Sequence, residues 1–308
     1  MNPLSLAIDE IRQQLPQIEC RVNEPMAQHT SFRIGGPVSA MFLPKTAADT
    51  AALRRVLFEN GIKPLIIGNG SNLLVEDGAL DMIIVKTGGG LTGMTLTGET
   101  EINAGSGTLL SQLATFALQH SLTGLEFAHG IPGTLGGAVV MNAGAYGGEM
   151  KDVAAETTSI GADGSFIRTL GELHDFSYRH SRFSDTEELI VSSVLRLQKG
   201  DPALIRGRME ALAGKRRESQ PLNLPSAGST FKRPKGGYAA ALIEQAGLKG
   251  YAVGGAMVSE KHAGFVVNSG GATFSDVLAV MDHVRETVLR RFDIALEPEV
   301  RIIRQPRL

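Results

Sequence analysis

Between Gly124 and Gly148, eight of 25 residues are glycine, a composition that disfavours long regular elements because each interior glycine costs about 0.5–1 kcal/mol relative to alanine. A stretch of this kind is shaped to turn tightly or to approach something closely. It contains Gly130-Ile131-Pro132-Gly133-Thr134-Leu135-Gly136-Gly137 and Asn142-Ala143-Gly144-Ala145-Tyr146-Gly147-Gly148, separated by the compact apolar run Ala138–Met141. Together these supply backbone donors and a narrow slot for a flat ring system. A tightly turning surface loop is the competing reading. Glycine is abundant throughout, at 37 of 308 residues, against a usual share of about 7%.

A second glycine-bearing loop follows a short apolar run. Pro64-Leu65-Ile66-Ile67 reads as a buried strand and runs directly into Gly68-Asn69-Gly70-Ser71-Asn72, where small residues let successive N–H groups converge on one anion. That suits a diphosphate. The loop lacks the third glycine of a dinucleotide fingerprint, so by itself it is a turn as readily as a ligand site. Gly207 and Gly214-Lys215-Arg216 resemble a P-loop only superficially, since the spacing is wrong and no hydroxyl follows the lysine. There is no Gly-x-Ser-x-Gly elbow and no His-Glu-x-x-His pair, and the seven histidines are scattered. No metal site is expected.

A formal charge of −2 gives no long-range attraction for nucleic acid or an anionic membrane, so any anion site must be built from a few placed groups. Cys20 is the only cysteine, which excludes internal disulfides and cysteine-based zinc or iron–sulfur centres. The start of the chain, with Asp9, Glu10 and Arg12 inside its apolar pattern, reads as an amphipathic helix and not as a signal-peptide core. No run approaches the roughly 18 apolar residues of a membrane span. A cytoplasmic protein is the expectation.

Length predicts two or three domains of about 100–200 residues each. Helices are predicted over Ala47–Asn60, stopped by Asn60-Gly61, over Thr108–His120, from Pro202 to about Arg217, over Ala239–Ala246 and over Ser275–Phe292. In the last of these Val277, Met281, Val284, Val288 and Phe292 form a core-facing stripe. Strands are predicted at Met82–Val85, as a hairpin from Val153 to Arg168 around Gly161-Ala162-Asp163-Gly164, at Ile190–Leu197, and around Ala252–Val258 and Gly264–Asn268. Gly200-Asp201-Pro202 reads as a boundary, with Asp as N-cap and Pro at the first helical position.

The strings Thr30-Ser31-Phe32-Arg33-Ile34-Gly35-Gly36, Gly68-Asn69-Gly70-Ser71-Asn72-Leu73-Leu74 and Gly130–Gly137 resemble those of the UDP-N-acetylenolpyruvoylglucosamine reductase family, and the likeness extends over essentially the whole chain. The resemblance implies an α+β / α/β architecture of the vanillyl-alcohol-oxidase (PCMH) type. FAD would be held by two α/β subdomains, residues 1–80 and 81–200, with a substrate domain at 201–295 and the segment 296–308 returning to the active site. Cofactor contacts are then expected from Gly68, Asn69, Gly70, Ser71, Asn72, Gly133, Thr134, Gly136, Gly137, Asn142 and Gly144. Neither glycine-rich region, Gly68–Leu74 or Gly130–Gly148, contains His or Cys, which favours non-covalent FAD.

The same resemblance assigns the reacting groups. Pro225-Ser226-Ala227-Gly228-Ser229-Thr230-Phe231-Lys232-Arg233-Pro234 is similar to the family's serine loop, with Ser229 as proton donor; Phe176-Ser177-Tyr178-Arg179-His180 places Arg179 at the active-site arginine; Leu296-Glu297-Pro298-Glu299-Val300-Arg301 places Glu299 at the catalytic acid. Lys232, Arg233 and Arg301 are the expected substrate contacts, the first two for the UDP diphosphate. Strand alternation would put Glu297, Glu299 and Arg301 on one face, with a structural ion pair as the competing role. The implied reaction is reduction of an enolpyruvyl ether on UDP-N-acetylglucosamine, with NADPH as co-substrate, in peptidoglycan synthesis. The short run between Arg182 and Ile190 leaves little room for the tyrosine-bearing insertion of the family's longer branch. A flavin-dependent oxidase on the same fold and a non-enzymatic flavin-binding module are the rival readings.

Overall fold

The computed structural model describes residues 3–305. By backbone contact the chain forms two units, one of Met1–Val22, Ser39–Asn69 and Met82–Lys215, the other of Asn23–Val38, Gly70–Asp81 and Arg216–Leu308.

In the first unit a five-stranded antiparallel sheet runs Phe166–Leu170, Ala154–Ile160, Leu189–Arg196, Glu101–Gly105, Met94–Leu96. The predicted hairpin forms its edge, with Ile160 opposite Phe166 across the Gly161–Gly164 turn. Helices Leu110–Gln119 and Leu135–Val140 contribute Leu110, Leu113, Leu135 and Val139 to a core that also takes Ile102, Leu195 and Phe183. Helix Ala47–Glu59 packs Leu53 and Leu57 into a second core with Ile83 and Val85. It starts where the Thr46 hydroxyl accepts from Asp49 N at 3.0 Å, capping an otherwise orphaned amide, and stops at Gly61 with φ +66°. Strand Leu65–Ile67 lies parallel to Leu80–Lys86 and delivers the chain into the Gly68 loop. Only residues 185–188 separate the turn Arg182–Ser184 from the strand that begins at Leu189, so no inserted loop interrupts the chain there.

Helix Pro202–Ser219 begins at the predicted site, but its Ile205 and Met209 pack in the first unit's core, and the division between units falls after Lys215. The second unit holds a three-stranded antiparallel sheet, Ala252–Val253, Ala256–Val258 and Val266–Asn268, with helices Ala239–Gln245 and Phe274–Phe292. A capping box between Thr273 and Asp276 starts the long helix, and Val277, Met281, Val284 and Val288 are buried along it as the stripe predicts. Each such side chain contributes about 1.5–3 kcal/mol. Strand Arg301–Ile303 pairs in parallel with Leu73–Val75. Among the described residues no helix is long and apolar enough to cross a membrane.

Candidate active site

The division between units passes through the Gly68–Asn72 loop, between Asn69 and Gly70. On the first side, Asn69 Nδ2 donates to Pro132 O at 2.8 Å, and a Cβ on Gly68 would lie 2.2 Å from Thr134 Oγ1. The two glycine-rich loops therefore touch at Gly68, where any side chain would collide. The 132–137 loop is in turn laced to residues 105–110: Leu110 N donates to Gly133 O, Leu135 N to Thr108 O and Gly136 N to Ser106 O, at 2.8–3.1 Å. Around this lacing the hydroxyls of Ser106, Thr108 and Thr134 are buried with no hydrogen-bond partner. Three buried hydroxyls without partners lie beside a loop cleared of side chains, and a ligand with acceptors and donors would offset the roughly 1–3 kcal/mol that an unmatched buried hydroxyl costs. This fits FAD. Ser106 and Thr108 are the two members that the sequence reading missed, although the small-residue run Gly105-Ser106-Gly107-Thr108 after a strand was a usable signal.

On the second side, Gly70 has φ +62°, and a Cβ there would stand 1.8 Å from His29 O. Ser31 N donates to Gly70 O at 3.2 Å, so the Thr30–Gly36 string packs on this half of the loop. Asn72 Nδ2 donates to Glu299 O at 3.0 Å, and Arg301 N donates to Asn72 O at 3.0 Å.

The serine loop and the C-terminal segment form one construction within the second unit. Thr230 is buried; its N donates to Gly264 O and its carbonyl accepts from Glu299 N, both at 2.8 Å, while its hydroxyl accepts from Val266 N at 2.9 Å. Its neighbour Ser229 is half-buried and follows Gly228 at φ +75°. Ser229 and Glu299 are thus brought onto adjoining backbone, Glu299 being held at N by Thr230 and at O by Asn72. Lys232 N donates to Glu297 O at 2.8 Å, and Lys232 Nζ lies 3.5 Å from Glu297 Oε2. Arg233 is exposed with its guanidinium 4.4 Å from the Tyr238 ring centroid.

The expected alternation of Glu297, Glu299 and Arg301 along one strand does not hold. Pro298, which has no N–H to give to a ladder, forms an isolated bridge with Phe231. Glu299 N and Val300 N both point at Thr230 O, and regular strand begins only at Arg301, which is exposed. Arg301 is not drawn beside Glu299 by strand geometry.

Arg179 belongs to the first unit. It occupies the second central position of a turn in which Ser177 N donates to His180 O at 3.1 Å and His180 N to Ser177 O at 3.3 Å. Its φ is +57°, a position that favours glycine, and its guanidinium lies over the Tyr178 ring. Asn142, expected at the cofactor, is fully buried with its amide already used: Nδ2 donates to Glu149 Oε2 at 2.7 Å and to Ser177 O at 2.9 Å, and Oδ1 accepts from Lys151 N at 2.9 Å. Gly144 pairs with Glu149 in a two-residue ladder.

A family model described as FAD binding domain matches residues 38–170, and one described as UDP-N-acetylenolpyruvoylglucosamine reductase, C-terminal domain, matches 220–303. The UDP-N-acetylenolpyruvoylglucosamine reductase of Caldanaerobacter subterraneus subsp. tengcongensis is 44% identical over 298 residues, covering 97% of this chain and 98% of its own. That of Syntrophomonas wolfei is 45% identical over 294 residues, covering 96% and 98%. The crystal structure of UDP-N-acetylenolpyruvylglucosamine reductase (MurB) from Thermus caldophilus superposes with a TM-score of 0.79 at 32% identity, over 93% of this chain and 98% of that one. With the flavin-binding α+β architecture, the lacing of the serine loop to Glu299 and this likeness along nearly its full length, the chain belongs to the UDP-N-acetylenolpyruvoylglucosamine reductase family of FAD-dependent oxidoreductases.

Proposed function

We propose that the protein reduces the enolpyruvyl ether of UDP-N-acetylglucosamine to UDP-N-acetylmuramate, with NADPH as electron source, in the cytoplasmic stage of peptidoglycan synthesis. The observation that carries this reading is the backbone lock that holds Glu299 against Thr230 and so beside Ser229. FAD, when bound, would supply the hydride-transfer chemistry between NADPH and the enolpyruvyl group.

The polypeptide then has three tasks. Arg179 grips the substrate carboxylate at two points through its planar fork. As hydride arrives, charge builds on the carbon beside that carboxylate and spreads into its oxygens, where Arg179 and Glu299 stabilise it by hydrogen bonding. Ser229 gives the proton to that carbon. A serine hydroxyl is a weak acid, so its efficiency depends on fixed placement, which the bonds on both sides of Thr230 provide. Lys232 and Arg233 neutralise the diphosphate. The loops around Gly68–Asn72, Ser106, Thr108 and Thr134 would hold the cofactor without a covalent bond. The division into residues 1–80, 81–200 and 201–295 is part of the same proposal; the separate flavin-domain and C-terminal-domain matches over 38–170 and 220–303 support its boundary near residue 200.

The test is NADPH oxidation by purified protein with and without the enolpyruvyl sugar nucleotide, followed by the two half-reactions in Ser229→Ala. Turnover should require the sugar nucleotide and consume no oxygen; substrate-independent oxygen uptake would favour an oxidase. In Ser229→Ala, flavin reduction by NADPH should proceed at a near-normal rate while reoxidation by the sugar nucleotide falls by about 10²–10⁴-fold, the contribution of a positioned general acid. Equal losses in both steps, or full-speed reoxidation, would remove Ser229 as proton donor.

A further inference from the structure

Asn142 sits in a backbone conformation that asks for glycine. Helix Leu135–Val140 ends in a Schellman motif, with Ala143 N donating to Ala138 O at 2.8 Å and Asn142 N to Val139 O at 3.3 Å, and Asn142 takes the left-handed position at φ +44°. Helix Ala47–Glu59 ends with the same pair of bonds, Ile62 N to Leu57 O and Gly61 N to Phe58 O, and there the left-handed residue is glycine. Glycine is the common solution at this position because it carries no Cβ penalty. An asparagine that accepts the penalty does so for its side chain.

All three hydrogen-bonding capacities used by that side chain are directed to chosen groups. Oδ1 takes Lys151 N, one Nδ2 hydrogen goes to Glu149 Oε2, and the other goes to Ser177 O. Ser177 O is the carbonyl that also accepts His180 N and so closes the turn carrying Arg179. The far side of the turn is tied to the same helix end: the hydroxyls of Ser181 and Ser184 both donate to Val140 O at 2.8 Å. Asn142 and Val140 therefore hold the Arg179 turn at its entry and its exit. The helix they terminate begins at Leu135, directly after the Pro132–Thr134 segment laced to Asn69 and Leu110. One short, buried element thus fixes the height of Arg179 relative to the glycine-rich loop, entirely within the first unit.

We infer that Asn142 is a positioning residue for Arg179, acting through Ser177 O, and that its side chain serves substrate reduction and not cofactor retention. This inference rests on the assignment of Arg179 to the substrate carboxylate. A misplacement of about 1 Å in a catalytic group costs on the order of 10²-fold in rate, and a turn with a non-glycine residue at positive φ has reason to relax once its tether is cut.

Asn142→Gly is the direct test, because glycine suits the left-handed position and keeps the helix end while deleting the tether to Ser177 O together with the bonds to Glu149 and Lys151 N. The variant should bind FAD and be reduced by NADPH as the wild type is. Reoxidation by the enolpyruvyl sugar nucleotide should fall by about 10²-fold, and amide exchange at His180 should accelerate in the absence of any substrate. In an Arg179→Ala background the same substitution should cost less than about twofold further, since non-additivity is the mark of residues acting through one another. Asn142→Asp, which keeps an acceptor for Lys151 N but when ionised cannot donate to Ser177 O, should show the same selective defect. Wild-type reoxidation in either variant, an undiminished loss in the Arg179→Ala background, unchanged exchange at His180, or collapse of thermal stability in both variants would overturn the inference. Normal reoxidation in Arg179→Ala alone would instead remove the role of Arg179, and the inference with it.

Discussion

The Thr134 hydroxyl stands at the head of helix Leu135–Val140 and caps nothing, although threonine at an N-cap ordinarily accepts an amide from the first turn. It is buried and without a partner, and the nearest consequence of its position is the clearance at Gly68. A hydroxyl kept there for the cofactor makes an unusual prediction for Thr134→Val. Without FAD, the variant should be as stable as the wild type or more stable by up to about 1 kcal/mol, because an unsatisfied buried group has been removed. Its FAD affinity should weaken by about 0.5–1.5 kcal/mol, one net hydrogen bond. Thermal melts of the apoproteins and flavin titration measure the two effects separately. A less stable apo variant would assign the hydroxyl a structural partner, and unchanged affinity would take it away from FAD. At this scale the glycines and small polar residues of the site were legible in the sequence, since their type alone announces close approach. What was not legible was which hydroxyls stay unpartnered, as with Ser106 and Thr108, and which amides are consumed, as with Asn142, because both depend on long-range neighbours.

Helices and strands were read from periodicity with small errors at their ends, as helix Phe274–Phe292 and the Ala154–Leu170 hairpin illustrate. Alternation failed at Glu297–Arg301, where one proline interrupts the ladder and two amides share one carbonyl. Another element carries a pH dependence that no pattern announces. The short turn Gly171–His174 buries His174 completely. Its Nδ1 lies 2.7 Å from Gly171 O, which can only accept, so Nδ1 carries the proton and Nε2 accepts from the Thr157 hydroxyl at 2.9 Å. Thr157 in turn pairs with Ser193 at 2.9 Å. Burial lowers the pKa of this imidazole, opposed by the bond to Gly171 and assisted by nearby Arg182. With the folded value below the unfolded one of about 6.5, the stabilisation is fully present above pH 6.5. It is lost as pH falls from there through the folded value, because the unfolded chain takes up a proton that the folded chain refuses. His262 shifts in the same direction for the same leading cause, so a difference measurement is needed. Urea unfolding of wild type and His174→Gln from pH 7.5 to 5.5 should show wild type losing more stability on acidification, by up to about 1.4 kcal/mol per pH unit. Parallel curves would mean that His174 is not held neutral.

At the scale of the whole molecule, the second contact unit takes residues 23–38 and 70–81 from the chain's first third. Nothing local marks such interleaving; it follows from pairings such as Leu73–Val75 with Arg301–Ile303, which join segments more than 200 residues apart. Its consequence is that the Gly68–Asn72 loop is divided between the units, with Gly68 and Asn69 in one and Gly70, Ser71 and Asn72 in the other. A cofactor that binds the folded chain alone stabilises it by mass action, by about 2.7 kcal/mol when free FAD is a hundredfold above its dissociation constant. The purified protein should therefore be yellow, its melting temperature should rise with added FAD, and the increment should grow with the logarithm of FAD concentration. Because no His or Cys lies in either glycine-rich region, precipitation with acid should leave the flavin in the supernatant and the pellet colourless. Flavin that stays with the precipitated chain would overturn non-covalent binding while sparing the fold. A colourless protein whose melting temperature ignores FAD would overturn the assignment of both loops.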